Sequence, residues 1–202
     1  MALSTVQSKP TTFITIAIWV LLCLTTVTVA LPTVLASHSA HNLTPRTYSN
    51  HLINPSFESG VIDPWLTIVT SAWSTRGVFA NPFTHSGTHH YYAHSTSTVD
   101  STLTISQTGL NAAVGSMVDC YAWVAGKRSE GVTSIEVFLD EVSCGKTTLG
   151  VGREEWKRVG SQVRVNGTGD GMGSTIAIVA TSESAGDEGW EVWVDDVGVV
   201  SC

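Results

Sequence analysis

From residue 51 onward, no apolar run in this chain keeps a helical period. Each run is short, rich in Val, Ile, Thr and aromatic residues, and closed off by Gly, Ser, Asn or Asp. That is the pattern of strands separated by turns. Ten such runs stand at 51–57, 65–70, 89–94, 102–107, 117–125, 134–140, 146–151, 156–165, 175–181 and 191–200. They specify an all-β, antiparallel sandwich or jelly roll rather than an α/β fold. Leu103 and Ile105 alternate with Thr102, Thr104 and Ser106, and Ile135, Val137 and Leu139 alternate with Ser134, Glu136 and Asp140. Both runs predict half-buried strands with one wet face. The run at 190–200 is apolar on both faces and belongs at the centre of a sheet. Glu58 near the start and Asp195 and Asp196 near the end sit in strand-like sequence. This suggests that the first and last strands meet, with carboxylates placed to clamp one cation.

The N-terminal segment is set apart from this pattern. Lys9 precedes an apolar stretch from Phe13 to Ala30, and Val34 and Ala36 supply a cleavage site before Ser37, with Ala30 as a second candidate. Residues 1–36 therefore read as a secretory signal peptide. The alternative is a single membrane anchor, but Thr25, Thr26 and Thr28 dilute the run and no basic stop-transfer cluster follows. Residues 37–50 form a polar arm and 51–202 one domain, with no segment resembling a linker to a second. Cleavage removes one lysine and no acid, leaving 9 basic against 17 acidic residues. So acidic a surface argues against a nucleic-acid partner. The expected product is extracellular, without a membrane partner once cleaved, and a monomer.

Cys23 leaves with the signal, and Cys120, Cys144 and Cys202 remain. An oxidising compartment then implies one bridge and one leftover thiol. Cys120–Cys144 is the preferred pair because it flanks consecutive predicted strands. A simple hairpin centred near Ser129 and Glu130 would instead set Cys120 opposite Asp140, so Cys202 stays open as a partner for either. Asn42-Leu43-Thr44 and Asn166-Gly167-Thr168 are glycosylation sequons, the first weakened by Pro45.

In order, the chain carries Asn54-Pro55-Ser56-Phe57-Glu58, Pro64-Trp65, Ser86-Gly87-Thr88-His89-His90-Tyr91-Tyr92 and Leu103-Thr104-Ile105-Ser106-Gln107. Phe138-Leu139-Asp140, Glu155-Trp156-Lys157-Arg158-Val159, Thr175-Ile176-Ala177-Ile178 and Val194-Asp195-Asp196-Val197 follow. This succession resembles the carbohydrate-binding modules of families 4, 9 and 22, which share a galactose-binding-like jelly roll. The whole is similar to small secreted proteins of filamentous fungi built on that domain. The resemblance implies a polysaccharide or glycan partner and a structural Ca²⁺ between the N-terminal and last strands, with Glu58 and Asp196 as ligands and Asp195 as a weaker candidate.

Sugar recognition needs aromatic faces and fixed polar groups. Trp65, Trp156 and Trp190 fall inside fold-associated motifs and are expected in the core. Trp73, Tyr91, Tyr92, Tyr121 and Trp123 are less constrained. Tyr121 and Trp123 lie on one face of a strand, as a concave sheet would arrange a binding platform, although packing explains them as well. Trp73, Tyr92 and Gln107 complete the candidate binding set, and Arg128, Glu136 and Asp140 are further polar candidates. All seven histidines lie between His38 and His94. His89 and His94, five apart on a strand, point to opposite faces, which argues against a metal site. Nucleophile elbow, zinc-protease helix and phosphate loop are all missing. Glu154 and Glu155 are adjacent and face apart, and only distant acids such as Glu136 with Asp140 could form a glycosidase pair. The expectation is a non-catalytic binding module. The alternatives are an interaction protein that kept the fold, and a glycoside hydrolase.

Overall fold

A computed structural model describes residues 48–153, 155–167, 172–183 and 186–201. The expected signal peptide, Asn42, Glu154, Thr168 and Cys202 lie outside the described residues. The described residues form eleven strands: β1 (Leu66–Thr70), β2 (Trp73–Ala80), β3 (His89–Ser95), β4 (Ser101–Leu110), β5 (Met117–Arg128), β6 (Thr133–Leu139), β7 (Val142–Leu149), β8 (Gly152–Arg153), β9 (Lys157–Arg164), β10 (Ser174–Ser182) and β11 (Trp190–Ser201). No helix occurs among the described residues. One sheet runs β1-β4-β10-β6-β7. The other runs β2-β3-β11-β5, with β8 and β9 both pairing with β5. Every pairing is antiparallel. The fold is a β-sandwich jelly roll.

The alternation read from sequence decides which side of each strand is dry. Leu103, Ile105, Ile135, Val137, Leu139, Ile176 and Ile178 of the five-stranded sheet are buried against Tyr91, Val118, Ala122, Val124, Val192 and Val194 of the six-stranded one. Trp65 and Trp190 join this core, as expected. Central β11, paired on both sides, is buried at eight of its positions, from Trp190 to Val199.

Three expectations are corrected. Residues 51–57 form turns rather than a strand. Asn54 and Phe57 adopt positive φ, and Phe57 and Gly60 donate their N–H groups to Asn54 and Phe57 carbonyls. The meeting of the chain ends survives this change: Asn50 bridges to Val200, and His51 and Val197 donate their N–H groups to the Val199 and Pro55 carbonyls. Strand β2 was missed, because Ser74, Arg76 and Gly77 break its apolar pattern. The hairpin register assumed for the cysteines is also wrong, since β5 and β6 lie in different sheets. Cys120 and Cys144 instead face each other across the core, Cα to Cα 5.8 Å, and their disulfide ties β5 to β7.

Candidate functional site

In an antiparallel sheet, residues opposite one another share a face. Cys120, Ala122 and Val124 of β5 point into the core, so Tyr121 and Trp123 point outward. Register then sets Asp195 and Arg158 beside Trp123, and sets Trp193 opposite both Ala125 and Tyr92. Phe79 and His90 continue the face on β2 and β3. A strand period thus gathers Tyr121, Trp123 and Tyr92 from the candidate set on one outer face, and adds Trp193, which its position in a doubly apolar run had concealed.

Residues 81–88, between β2 and β3, lie across this face and insert two more rings. Phe83 stacks on Trp156 at 5.5 Å and meets Trp193 edge-on at 5.3 Å. His85 stacks on Trp123 at 3.8 Å and approaches Trp156 at 5.9 Å. Tyr92 contacts Trp193 at 5.6 Å and Phe79 at 5.6 Å. Trp156, expected in the core, therefore belongs to this outer layer. The rings form one connected path from Phe79 to Trp123, in which each contact adds about 0.5–1.5 kcal/mol beyond burial. Tyr121 lies at its end, under the Arg158 guanidinium at 4.1 Å. The ring rests over Gly198, where any side chain would collide with it.

The three acids proposed from sequence hold this loop in place. Asp195, fully buried, accepts N–H bonds from His85 (2.9 Å), Ser86 (3.2 Å) and Asp196 (2.8 Å). Burial nevertheless dominates and raises its carboxyl to about 6. Asp196 accepts the hydroxyls of Ser56 (2.6 Å) and Ser86 (2.9 Å) and the His85 Nδ1–H (2.6 Å). Burial opposes its charge, but these bonds outweigh burial and hold its carboxyl below the usual range. Glu58 accepts from the His89 and Thr88 N–H groups at 2.8 Å each and from the Thr88 hydroxyl at 3.0 Å. These bonds, led by the His89 N–H, bring it down to about 2. Gly87 is required here, since its φ of 59° is left-handed and a Cβ would strike the Glu58 carboxylate.

As a calcium shell, the arrangement is partial. Asp196 Oδ1 gathers two serine hydroxyls, whereas Ca²⁺ takes six to eight oxygens. Backbone carbonyls and water would have to supply the rest. Among the described residues, no three His, Cys, Asp or Glu side chains form a group able to hold a metal.

The other candidates sit apart from the aromatic face. Gln107 is buried and commits both ends of its amide to the Ile53 backbone, at 2.8 Å each, so it tethers the N-terminal segment. Trp73 packs edge-on against core Trp190 at 4.9 Å and donates to the Thr70 carbonyl. Tyr91 is fully buried in the core. Arg128 is buried on the Thr133 and Ser182 hydroxyls. Glu136 accepts from Ser143 on the five-stranded sheet, and Asp140 caps the N–H groups of Gly167 and Thr175. Asn166 is exposed. His89 and His94 do point to opposite faces, since His90, Tyr92 and His94 share the outer one.

Cavities open on the aromatic side, two of them beside Glu191. One of about 260 Å³ is bounded by Phe79, Asn81, His90, Tyr92, Glu191 and Trp193. A larger cleft of about 460 Å³ lies beyond Glu191, beside His94, Lys127, Arg128 and Glu188. Its polar groups largely pair with neighbours: Lys127 with Glu191 at 3.2 Å, and His94 with Ser74 and the Glu188 carbonyl.

No family model matches the chain, and no curated protein does. Solved structures do. A family 61 carbohydrate-binding module in complex with β-1,4-galactotriose aligns with TM-score 0.50 at 20% identity, over 76% of this chain and 99% of that one. A Stig cyclase from Fischerella sp. TAU aligns with TM-score 0.51 at 14% identity, over 77% and 98%. The enzymatically active domain of bacteriophage CBA120 tailspike protein 4 aligns with TM-score 0.51 at 14% identity, over 75% of this chain and 21% of that one. The chain thus has a fold found in carbohydrate-binding modules, and the same fold also serves enzymes.

Proposed function

We propose that this protein is a secreted, non-catalytic carbohydrate-binding module whose ligand rests on the outer face of the six-stranded sheet. One observation carries the reading: the connected aromatic layer from Phe79 through Tyr92 and Trp193 to Trp123, outside a core that is already complete without it. Rings in that position suit the apolar face of a pyranose, and the carboxylate, amide and imidazole groups among them suit its hydroxyls. The fold shared with a carbohydrate-binding module solved in complex with β-1,4-galactotriose supports the reading, and so does the inter-sheet disulfide, a bond of oxidising compartments. The finer family assignment, to the group of families 4, 9 and 22, rests on the ordered motifs in the sequence.

Pull-down against insoluble cellulose, xylan, chitin, β-glucan and β-1,4-galactan, together with a glycan array, tests the proposal. Retention on at least one glycan, without release of reducing sugar, is expected. Silence across the whole set would overturn it in favour of an interaction protein, and sugar release abolished by a carboxylate substitution would make it a hydrolase. Calcium at the chain closure is a separate part of the reading. A chelator should lower the melting temperature of a calcium-loaded sample and Glu58→Gln should remove that sensitivity, whereas an unchanged melt would sink the calcium clamp.

A further inference from the structure

We propose that the cavity bounded by Phe79, Asn81, His90, Tyr92, Glu191 and Trp193 is a subsite for a single neutral pyranose ring at the end of a glycan chain. The inference rests on the carbohydrate-binding reading above and gives it a ligand class and an anchoring point. Three observations converge on this cavity.

Its size is the first. At about 260 Å³, it has room for roughly nine waters and falls below the ~300–1,000 Å³ of pockets that hold drug-sized ligands. One sugar ring fits, and a run of several does not. A terminal residue can enter such a space while the rest of the chain stays outside.

The second is an unpartnered buried group. His90 is 1% exposed and lines the cavity, and its Nδ1, itself shielded from solvent, has no hydrogen-bond partner among the described residues, so it meets a ligand hydroxyl once the ring turns towards the cavity. Burial, reinforced by neighbouring His89, lowers its pKa and keeps the imidazole neutral. A neutral imidazole offers one donor and one acceptor, which is the complement of a hydroxyl. Leaving such a buried group unpaired costs about 1–3 kcal/mol. A simple packing void would be lined by apolar atoms alone.

The third is the wall chemistry. Phe79 meets Tyr92 at 90° and Tyr92 meets Trp193 at 36°, and all three rings line the space. Opposite them, the Glu191 carboxylate accepts the Tyr92 hydroxyl at 3.1 Å and the Lys127 ammonium at 3.2 Å. A carboxylate has about four lone-pair sites, so two remain for adjacent sugar hydroxyls. Lys127, which pairs with this carboxylate, is not among the residues that line the cavity, so the carboxylate of a uronic acid placed there meets Glu191 without a cation of its own. Asn81 also lines the cavity, and its Oδ1 accepts the Phe83 N–H at 3.0 Å.

The test uses the full mature chain and three neutral probes, methyl β-D-galactopyranoside, methyl β-D-glucopyranoside and methyl β-D-xylopyranoside, against methyl β-D-glucuronide. Binding is followed by NMR titration. At least one neutral glycoside should bind, with shifts at His90, Tyr92 and Trp193, and the glucuronide should bind at least about tenfold more weakly. Phe79→Ala, at a side chain already 40% exposed, and Glu191→Gln should each weaken the neutral probe by about tenfold, the scale of one charge-assisted hydrogen bond or ring contact. Melting curves check that both variants fold, and Ile68→Ala on the opposite sheet should leave binding unchanged. If the wild type holds a polysaccharide and both variants hold it equally well, the subsite is overturned while the carbohydrate-binding reading stands. If no glycan binds the wild type, both fall. Equal affinity for the glucuronide overturns the assignment to neutral sugars.

Discussion

On the five-stranded sheet the solvent side mixes polar and apolar residues without a layer of rings, and Ile68, Thr104, Val179, Glu136 and Lys146 stand opposite one another. On the six-stranded sheet the corresponding side carries Phe79, Tyr92, Trp123 and Trp193 beneath residues 81–88. Both sheets bury the same kind of inner face, so the sandwich itself explains neither difference. A wet outer face needs only residues that tolerate water, and the first sheet stops there. The second builds another layer of rings and fastens a loop over them with three carboxylates. Structure beyond what the core requires is where function is to be sought.

That contrast predicts unequal responses to substitution. Trp193→Ala should cost about 3 kcal/mol in chemical denaturation, the scale of a buried indole lost with its packing, because its ring contacts Phe83 and Tyr92 and is 6% exposed. A cost under about 1 kcal/mol would mean that the aromatic layer is loosely attached surface. Replacing both Cys120 and Cys144 by Ala should cost a similar amount, about 3 kcal/mol, for a bridge that closes a separation of 24 residues between the sheets. Unchanged stability would show that the sheets need no tether.

Smaller effects should appear in the pH dependence of the loop attachment. Asp195 has a raised carboxyl pKa, about 6 against 3.8. The stability it contributes is therefore full below about pH 4 and lost as pH rises through about 6. Glu58 is the reverse case, lowered from 4.5 to about 2, so its contribution is present above about 4.5 and lost as pH falls through about 2. Asp195→Asn should flatten the fall in melting temperature between about pH 4 and pH 7, and Glu58→Gln should flatten the acid limb. Slopes identical to wild type would contradict these assignments. Least of all, Ile68→Ala, at 64% exposure, should change stability by no more than about 0.5 kcal/mol.

Alternation made most of the sandwich legible: Leu103 with Ile105, and Ile135 with Val137 and Leu139, name their buried faces without help. The same rule placed Tyr121 and Trp123 together. It failed at residues 51–57, because positive φ at Asn54 and Phe57 turns a strand-like sequence into turns. It failed at 73–80, because Gly77 and Arg76 interrupt a strand whose pairing with β3 is set by tertiary contacts. Trp193 was hidden because a central strand is apolar on both sides, and the sequence cannot say which side also meets a loop. Phe83 was invisible as a site residue, and His85 drew notice only as one of a group of histidines weighed as metal ligands, since nothing periodic marks a loop that folds back over a sheet. The cysteine pair was chosen correctly with the wrong geometry: local hairpin reasoning cannot see that β5 and β6 belong to opposite sheets.

The central claim is that the aromatic side of the six-stranded sheet, and not the outer side of the five-stranded one, meets carbohydrate. Backbone amide shift mapping with oligosaccharides of galactan, xylan, cellulose and β-glucan addresses it directly. The account predicts that at least one oligosaccharide moves resonances of Phe79, His90, Tyr92, Glu191 and Trp193 and leaves Leu66, Ile68, Thr104 and Val179 in place. Shifts confined to those last four residues, or no shift with any oligosaccharide, would contradict it.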